Sequence, residues 1–169
     1  MVAVSTDNLM EPIGSDSLDE RICDFLVEHG RLKETDLVRA RRLHEENAEG
    51  NLIPLLTRLG LVSERDMGEA LAELLKLPLL SAKECPEAPP PNVSMSVRFL
   101  KQYHVVPIGE DDNNVTLLMA DPAEPYPRQA VELATGKGVE VRVGFRSEID
   151  DLRLNIIDRL LLLRRANAA

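Results

Sequence analysis

A shift of thirty residues lays the stretch from Arg21 to Lys76 over itself. Phe25-Leu26, Gly30-Arg31-Leu32, Glu34, Asp36-Leu37 and Ala40 fall on Leu55-Leu56, Gly60-Leu61-Val62, Glu64, Asp66-Met67 and Ala70. Each copy reads as an amphipathic helix that stops at a glycine, then a short turn, then a second helix. Glycine suits the stop because it enters the left-handed cap conformation without a Cβ clash. In the later copy Ser63 is placed to cap the second helix, with Asp66 as the return partner of a capping box. Neither hairpin can bury an apolar face alone, so the two are expected to pack as one four-helix unit. On its residues alone such a unit is a binding module without chemistry.

Composition narrows the partners. The chain has 169 residues, enough for one medium domain or two small ones, and Asp+Glu 29 against Lys+Arg 20 leaves a formal charge of -9. That charge repels phosphate backbones and anionic lipid, and aromatics at 3% leave little to stack on bases, so nucleic acid is not an expected partner. Cys23 and Cys85 are far apart and belong to no Cys-x-x-Cys pair, which points to two reduced thiols rather than a disulfide or zinc site. No signal peptide or bilayer-length apolar run is present, so a cytoplasmic location is expected, with only indirect membrane contact.

The remaining pattern sets an α+β expectation. Residues 1–16 read as a flexible leader and 17–80 as the duplicated helical-hairpin subdomain, opened by a Ser17/Glu20 capping box. Leu37, Ala40 and Leu43 mark the buried stripe of the second helix, with Arg39 and Arg42 on its other side; 47–50 reads as a polar turn. Leu52, Leu55, Leu56 and Leu59 mark the third helix, where Pro54 is tolerated in the first turn, and Met67, Ala70, Leu71 and Leu74 the fourth. The proline-rich segment 81–93 reads as a stiff connector at a subdomain boundary. Within 94–164 the order is helix, hairpin around Asp111-Asp112-Asn113-Asn114, helix ending at Gly136, strand with Val139, Val141 and Val143 facing in, and a last helix. That helix should start at a Ser147/Asp150 capping box and bury Ile149, Leu152, Ile156, Leu160 and Leu163; 165–169 is a tail. The whole is a four-helix unit followed by a small layer of about three strands with flanking helices.

Several residues resemble chemistry without completing it. Gly136-Lys137-Gly138 lacks the upstream glycine and the following Ser or Thr of a phosphate loop, since Val131 and Gly138 stand there, so it reads as a helix cap. His29, His44 and His104 are scattered without i, i+4 pairing or an expected acidic partner, which argues against metal or triad roles. Asp121-Pro122 reads as a turn starter. No catalytic residue, metal site or cofactor is expected. The basic cluster Arg31, Lys33, Arg39, Arg41 and Arg42 concentrates positive potential on one hairpin of an acidic chain. Either Arg41 and Arg42 pair with Glu45 and Glu46 along the helix, or the cluster is a docking patch in which Arg31, Arg39 and Arg42 meet an acidic partner.

The two repeat copies, together with Leu77-Pro78-Leu79, Arg98-Phe99-Leu100-Lys101-Gln102-Tyr103-His104-Val105-Val106-Pro107, Met119-Ala120-Asp121-Pro122 and Ala134-Thr135-Gly136, resemble the N-terminal domain of the type II secretion ATPase. The match runs from about Leu18 to Leu161 and is similar to the general secretion pathway protein E of the Xanthomonas type; the same domain begins type IV pilus assembly ATPases. The resemblance implies a non-catalytic domain that docks the ATPase onto the cytoplasmic domain of the inner-membrane L component, with the P-loop motor further along the chain. It also offers an alternative. Some relatives bind cyclic di-GMP through this repeat, and the residues matching that pattern are Arg21, Leu26 and Gly30 in the first copy and Leu52, Leu56 and Gly60 in the second. Departures from the pattern count against it: Cys23 and Ile53 stand where glycines are needed, and Asn51 replaces an arginine.

Overall fold

A computed structural model describes residues 15–47, 51–86 and 95–167, with the side chains at 15–17, 159–164 and 167 left aside. The leader up to residue 14, the 48–50 turn, residues 87–93 of the expected connector and residues 168–169 of the tail lie outside the described residues, as do the Ser17 cap and the side chains of Leu160 and Leu163. The fold is α+β, with an N-terminal helical region and a three-stranded mixed sheet. Its contacts group it into two compact units, 1–63 and 64–169.

The first unit contains α1 (Ser15–Glu28), α2 (Glu34–Asn47) and α3 (Leu52–Arg58). The helix starts at Ser15, two positions before the serine expected to cap it. The thirty-residue repeat is visible in its turns. Gly30 and Gly60 are both left-handed, with φ of 67° and 70°. Gly30 N–H donates to Val27 O and Arg31 N–H to Leu26 O; in the second copy Gly60 N–H donates to Thr57 O and Leu61 N–H to Leu56 O. Both are Schellman caps, in which two otherwise unsatisfied carbonyls of the last turn are met by backbone donors beyond the glycine. The carbonyl residues Leu26 and Leu56 are fully buried, as are Cys23 and Ala40. Leu37 and Leu52 join them, while Leu43 and Leu59, expected inside, are exposed. Leu59 is the helix C-cap, where the chain is already leaving the α3 stripe.

The second unit begins with α4 (Glu64–Leu75). Its contacts group it with the sheet. Gly68 is the reason for the close fit, since a Cβ there would lie 3.0 Å from the Phe145 ring. Leu79 bridges to Val143, and Leu80 N–H donates to Val143 O, so the chain after α4 runs beside the sheet edge. A short 3-10 turn (Ala82–Glu84) follows, with Leu80 and Cys85 packed into one sheet face.

After α5 (Val97–Tyr103) come β1 (Val105–Glu110) and β2 (Asn114–Met119), an antiparallel hairpin. Asp111 Oδ1 accepts from the Asn113 and Asn114 amides, closing the expected turn, and those two donors hold its carboxyl below the usual range. A register shift between Pro107 and Gly109 marks a bulge on this edge strand, where a proline removes no ladder donor that matters. Next, α6 (Pro125–Thr135) crosses over and β3 (Gly138–Val143) pairs parallel with β2. Gly136 caps α6 in the left-handed region, as the helix-cap reading of Gly136-Lys137-Gly138 requires.

Finally α7 (Arg146–Asn167) packs on the sheet face opposite α5 and α6. One face carries Leu100, Val115, Leu117, Met119, Val131, Val139 and Val141; the other carries Val106, Ile108, Leu118, Ile149, Leu152 and Ile156. Burial on both faces explains why β1 and β2 read as near-continuous apolar runs rather than alternating ones.

Candidate functional site

The residues that could carry function fall on α2, on the repeat turns and at the start of α7. On α2 only Leu37 and Ala40 are buried. A helix turns about 100° per residue, so Val38, Arg42, Thr35, Arg39 and Leu43 fall in that order along one outer arc of about 140°. All five are exposed. Val38 retains 54% of its surface and Leu43 40%, which makes them apolar shoulders on either side of the two arginines.

The basic cluster separates by environment. Arg31 is engaged within the chain. Arg41 is exposed too, but it lies beside Cys23, where its charge opposes the burial that pushes that thiol up to about 11. Arg39 is 82% exposed and reaches Asp36 at only 3.9 Å, the loose limit of an ion pair. Arg42 forms no ion pair or hydrogen bond among the described residues, and neither Arg41–Glu45 nor Arg42–Glu46 is formed there. Two guanidinium groups one helical turn apart are thus left on the outer face of α2 in an acidic chain.

The residues of the nucleotide alternative are distributed differently. Leu26, Leu52 and Leu56 are core residues, and Gly30 and Gly60 spend their conformational freedom on helix caps with nothing within 4 Å of a built Cβ. Arg21 is exposed, as is Asn51 in the second copy. Cys23, at the position where the pattern needs a glycine, is completely buried.

At the start of α7 the structure corrects two expectations. Ser147 and Asp150 do not form a capping box. Ser147 Oγ donates to Glu64 Oε2 at 2.6 Å, and the Ser147 amide donates to the same oxygen at 3.2 Å, so a carboxylate from α4 caps α7. Asp150 is instead 3.0 Å from His104 Nδ1, the acidic partner that His104 lacks in sequence. Arg146 meets the opposite ring nitrogen, Nε2, at 2.6 Å. Because Arg146 can only donate, Nε2 accepts and Nδ1 carries the proton toward Asp150. With both nitrogens engaged, the cluster fastens the α5–β1 corner, where His104 itself is left-handed, to α7. His29 contributes locally, its ring stacked on Phe25 and bonded to the Phe25 carbonyl.

The remaining polar candidates close turns. Asp121 Oδ1 accepts from the Ala123 amide, and Lys137 is held by Glu110 at 2.6 Å and by the Asp111 carbonyl at 2.7 Å. Among the described residues no group of three His, Cys, Asp or Glu side chains could hold a metal ion, and no helix is long and apolar enough to cross a membrane. A groove of about 650 Å³ opens between α5 and α6, walled by Met95, Phe99, Val131 and Ala134 with Lys137 and Glu110 at its polar end.

Comparison with known proteins sets this geometry in a lineage. The MshEN domain family matches residues 75–158. The type II secretion system protein E of Xanthomonas campestris pv. campestris is 52% identical over 140 residues, which cover 80% of this chain and 24% of that protein. The chain thus spans about a quarter of the length of that curated relative. The N-terminal domain of XpsE is 47% identical, with a TM-score of 0.74 over 86% of this chain and 98% of that one; a second crystal form of it is 45% identical, with a TM-score of 0.58 over 92% and 99%. MshE, solved with cdg, is 22% identical with a TM-score of 0.61 over 79% of this chain and 96% of that one, a likeness of fold alone.

Proposed function

The chain belongs to the family of N-terminal domains of type II secretion protein E, and we propose that it works as a non-catalytic docking domain that recruits the secretion ATPase to the cytoplasmic domain of the inner-membrane L component. The protein would then be cytoplasmic and reach the membrane only through that partner, while a P-loop motor elsewhere in the full-length ATPase hydrolyses nucleotide. The observation that carries docking over ligand sensing is the complete burial of Leu26 and Leu56. A side chain already sealed inside a packed core gains no further burial from a ligand, and uncovering it forfeits roughly 1.5–3 kcal/mol of apolar transfer per leucine. Cys23, equally sealed, fills the space a close backbone approach would need.

The rival reading is a cyclic di-GMP sensor. It rests on the exposed Arg21 and on the fold shared with MshE, which was solved with cdg. Isothermal calorimetry with cyclic di-GMP separates the two. Docking expects no heat above dilution at micromolar protein and tight capture by the purified cytoplasmic domain of the L component. A one-to-one micromolar isotherm that vanishes in Arg21→Ala would establish the sensor and displace docking as the primary role.

A further inference from the structure

We infer that the outer arc of α2 is the docking surface itself, and that it recognises an acidic amphipathic helix whose carboxylates lie one turn apart between apolar residues. The inference rests on the docking reading above and specifies where and with what chemistry the contact is made. Arg39 and Arg42 are an i, i+3 pair, so their Cβ atoms stand about 5–6 Å apart, the spacing that two carboxylates one turn apart present on a facing helix. Neither arginine is held strongly by the chain. Arg39 has only Asp36 at 3.9 Å and Arg42 forms no ion pair among the described residues. Little is therefore lost when they turn to a partner, and planar guanidinium groups can bind carboxylates with two parallel hydrogen bonds each.

Charge complementarity selects the occupant. The chain carries a formal charge of -9, so an acidic partner is repelled by the surface as a whole and attracted only where cations are concentrated. On α2 the acidic residues sit at the ends, Glu34 and Asp36 in the first turn and Glu45 and Glu46 in the last, with Arg39 and Arg42 between them. An acidic helix is thereby centred on the arginines and disfavoured when it slides along α2. Val38 and Leu43 supply the apolar contact that exposed ion pairs alone do not provide, since a solvent-exposed pair contributes little by itself. Arg41 takes no part, because at about 100° per residue it falls outside this arc, beyond Val38 on the side of Cys23.

The test measures binding of the purified cytoplasmic domain of the L component by biolayer interferometry at several salt concentrations. The wild-type chain is compared with R39E/R42E, with V38A/L43A and with the control K83E/K101E, an equal change of charge at exposed lysines of the second unit. Circular dichroism verifies that each variant is folded, as substitutions of exposed side chains should leave it. R39E/R42E is expected to weaken binding at least tenfold, mainly by slowing association, and to flatten its salt dependence. V38A/L43A should speed dissociation severalfold, and K83E/K101E should stay within twofold of wild type. If the wild-type chain fails to bind, the docking reading falls and this assignment with it. If the wild type binds and R39E/R42E behaves like the control, docking stands and α2 is not its surface.

Discussion

The cap that α4 places on α7 can be tested as a pairwise energy. Glu64 Oε2 accepts the Ser147 hydroxyl at 2.6 Å and the Ser147 amide at 3.2 Å, at the positive end of a helix of 22 residues. An N-cap acceptor contributes about 0.5–2 kcal/mol. A carboxylate beside a helix N-terminus adds about 0.3–1 kcal/mol. Both contacts are solvent-exposed, so screening keeps the sum in the lower half of the combined range, about 1.5 kcal/mol for Glu64→Ala. Ser147→Ala removes the hydroxyl but leaves the amide contact, at a cost of about 1 kcal/mol. The double variant should fall short of the sum by about 0.7 kcal/mol, the coupling between the two groups. Glu64 also sits in the first turn of α4, and the double-mutant cycle cancels that separate contribution. The assay is urea unfolding followed by tyrosine fluorescence, which reports the second unit because both tyrosines, Tyr103 and Tyr126, lie there. A coupling energy below about 0.3 kcal/mol, within the error of such cycles, would refute the cap.

Other outcomes follow from the same coordinates. Gly30→Ala and Gly60→Ala should each destabilise by about 1 kcal/mol, from left-handed backbone alone, and Gly30→Asn by less, as thermal unfolding will show. Gly144→Ala should cost more, about 2 kcal/mol or above, because its Cβ would lie 2.8 Å from Leu118 Cγ in the packed sheet face. Burial holds the Cys23 thiol at about 11, above its unfolded value of 9.0, so the unfolded chain ionises first. That contribution is complete below the unfolded value and is lost as pH rises from about 9 toward 11, by up to about 2 kcal/mol. Chemical denaturation across this alkaline range should show the loss in wild type and a flatter profile in Cys23→Ala. Native Cys23 should also resist alkylation at pH 8 while denatured protein reacts, read by intact mass.

Much of the fold was legible in the chain because the interactions that define it are local. The twin glycine stops, the Asp111 turn, the Gly136 cap and the alternating Val139, Val141 and Val143 each depend on residues within a few positions of one another. Side-chain type and spacing are enough to specify such features, and so are the apolar stripes of α4 and the early part of α7. The outward placement of Arg39 and Arg42 was equally readable, since helical phase alone separates them from Leu37 and Ala40.

What tertiary structure decided lies between residues far apart. Ser147 is bound by a residue 83 positions earlier, and Asp150 by one 46 positions earlier, so the nearby capping box was outcompeted by partners that only the folded chain delivers. The same holds for Arg41, which the helix offered to Glu45 and the packing of α1 gave to Cys23. Helix α4 completes a sequence repeat, yet its glycine and first carboxylate fit Phe145 and Ser147 and group it with the sheet. Repetition and periodicity specify which backbone forms a helix and which face is apolar. Which neighbour covers that face depends on shape and on hydrogen bonds formed across the fold, and those exist only once the chain has closed on itself.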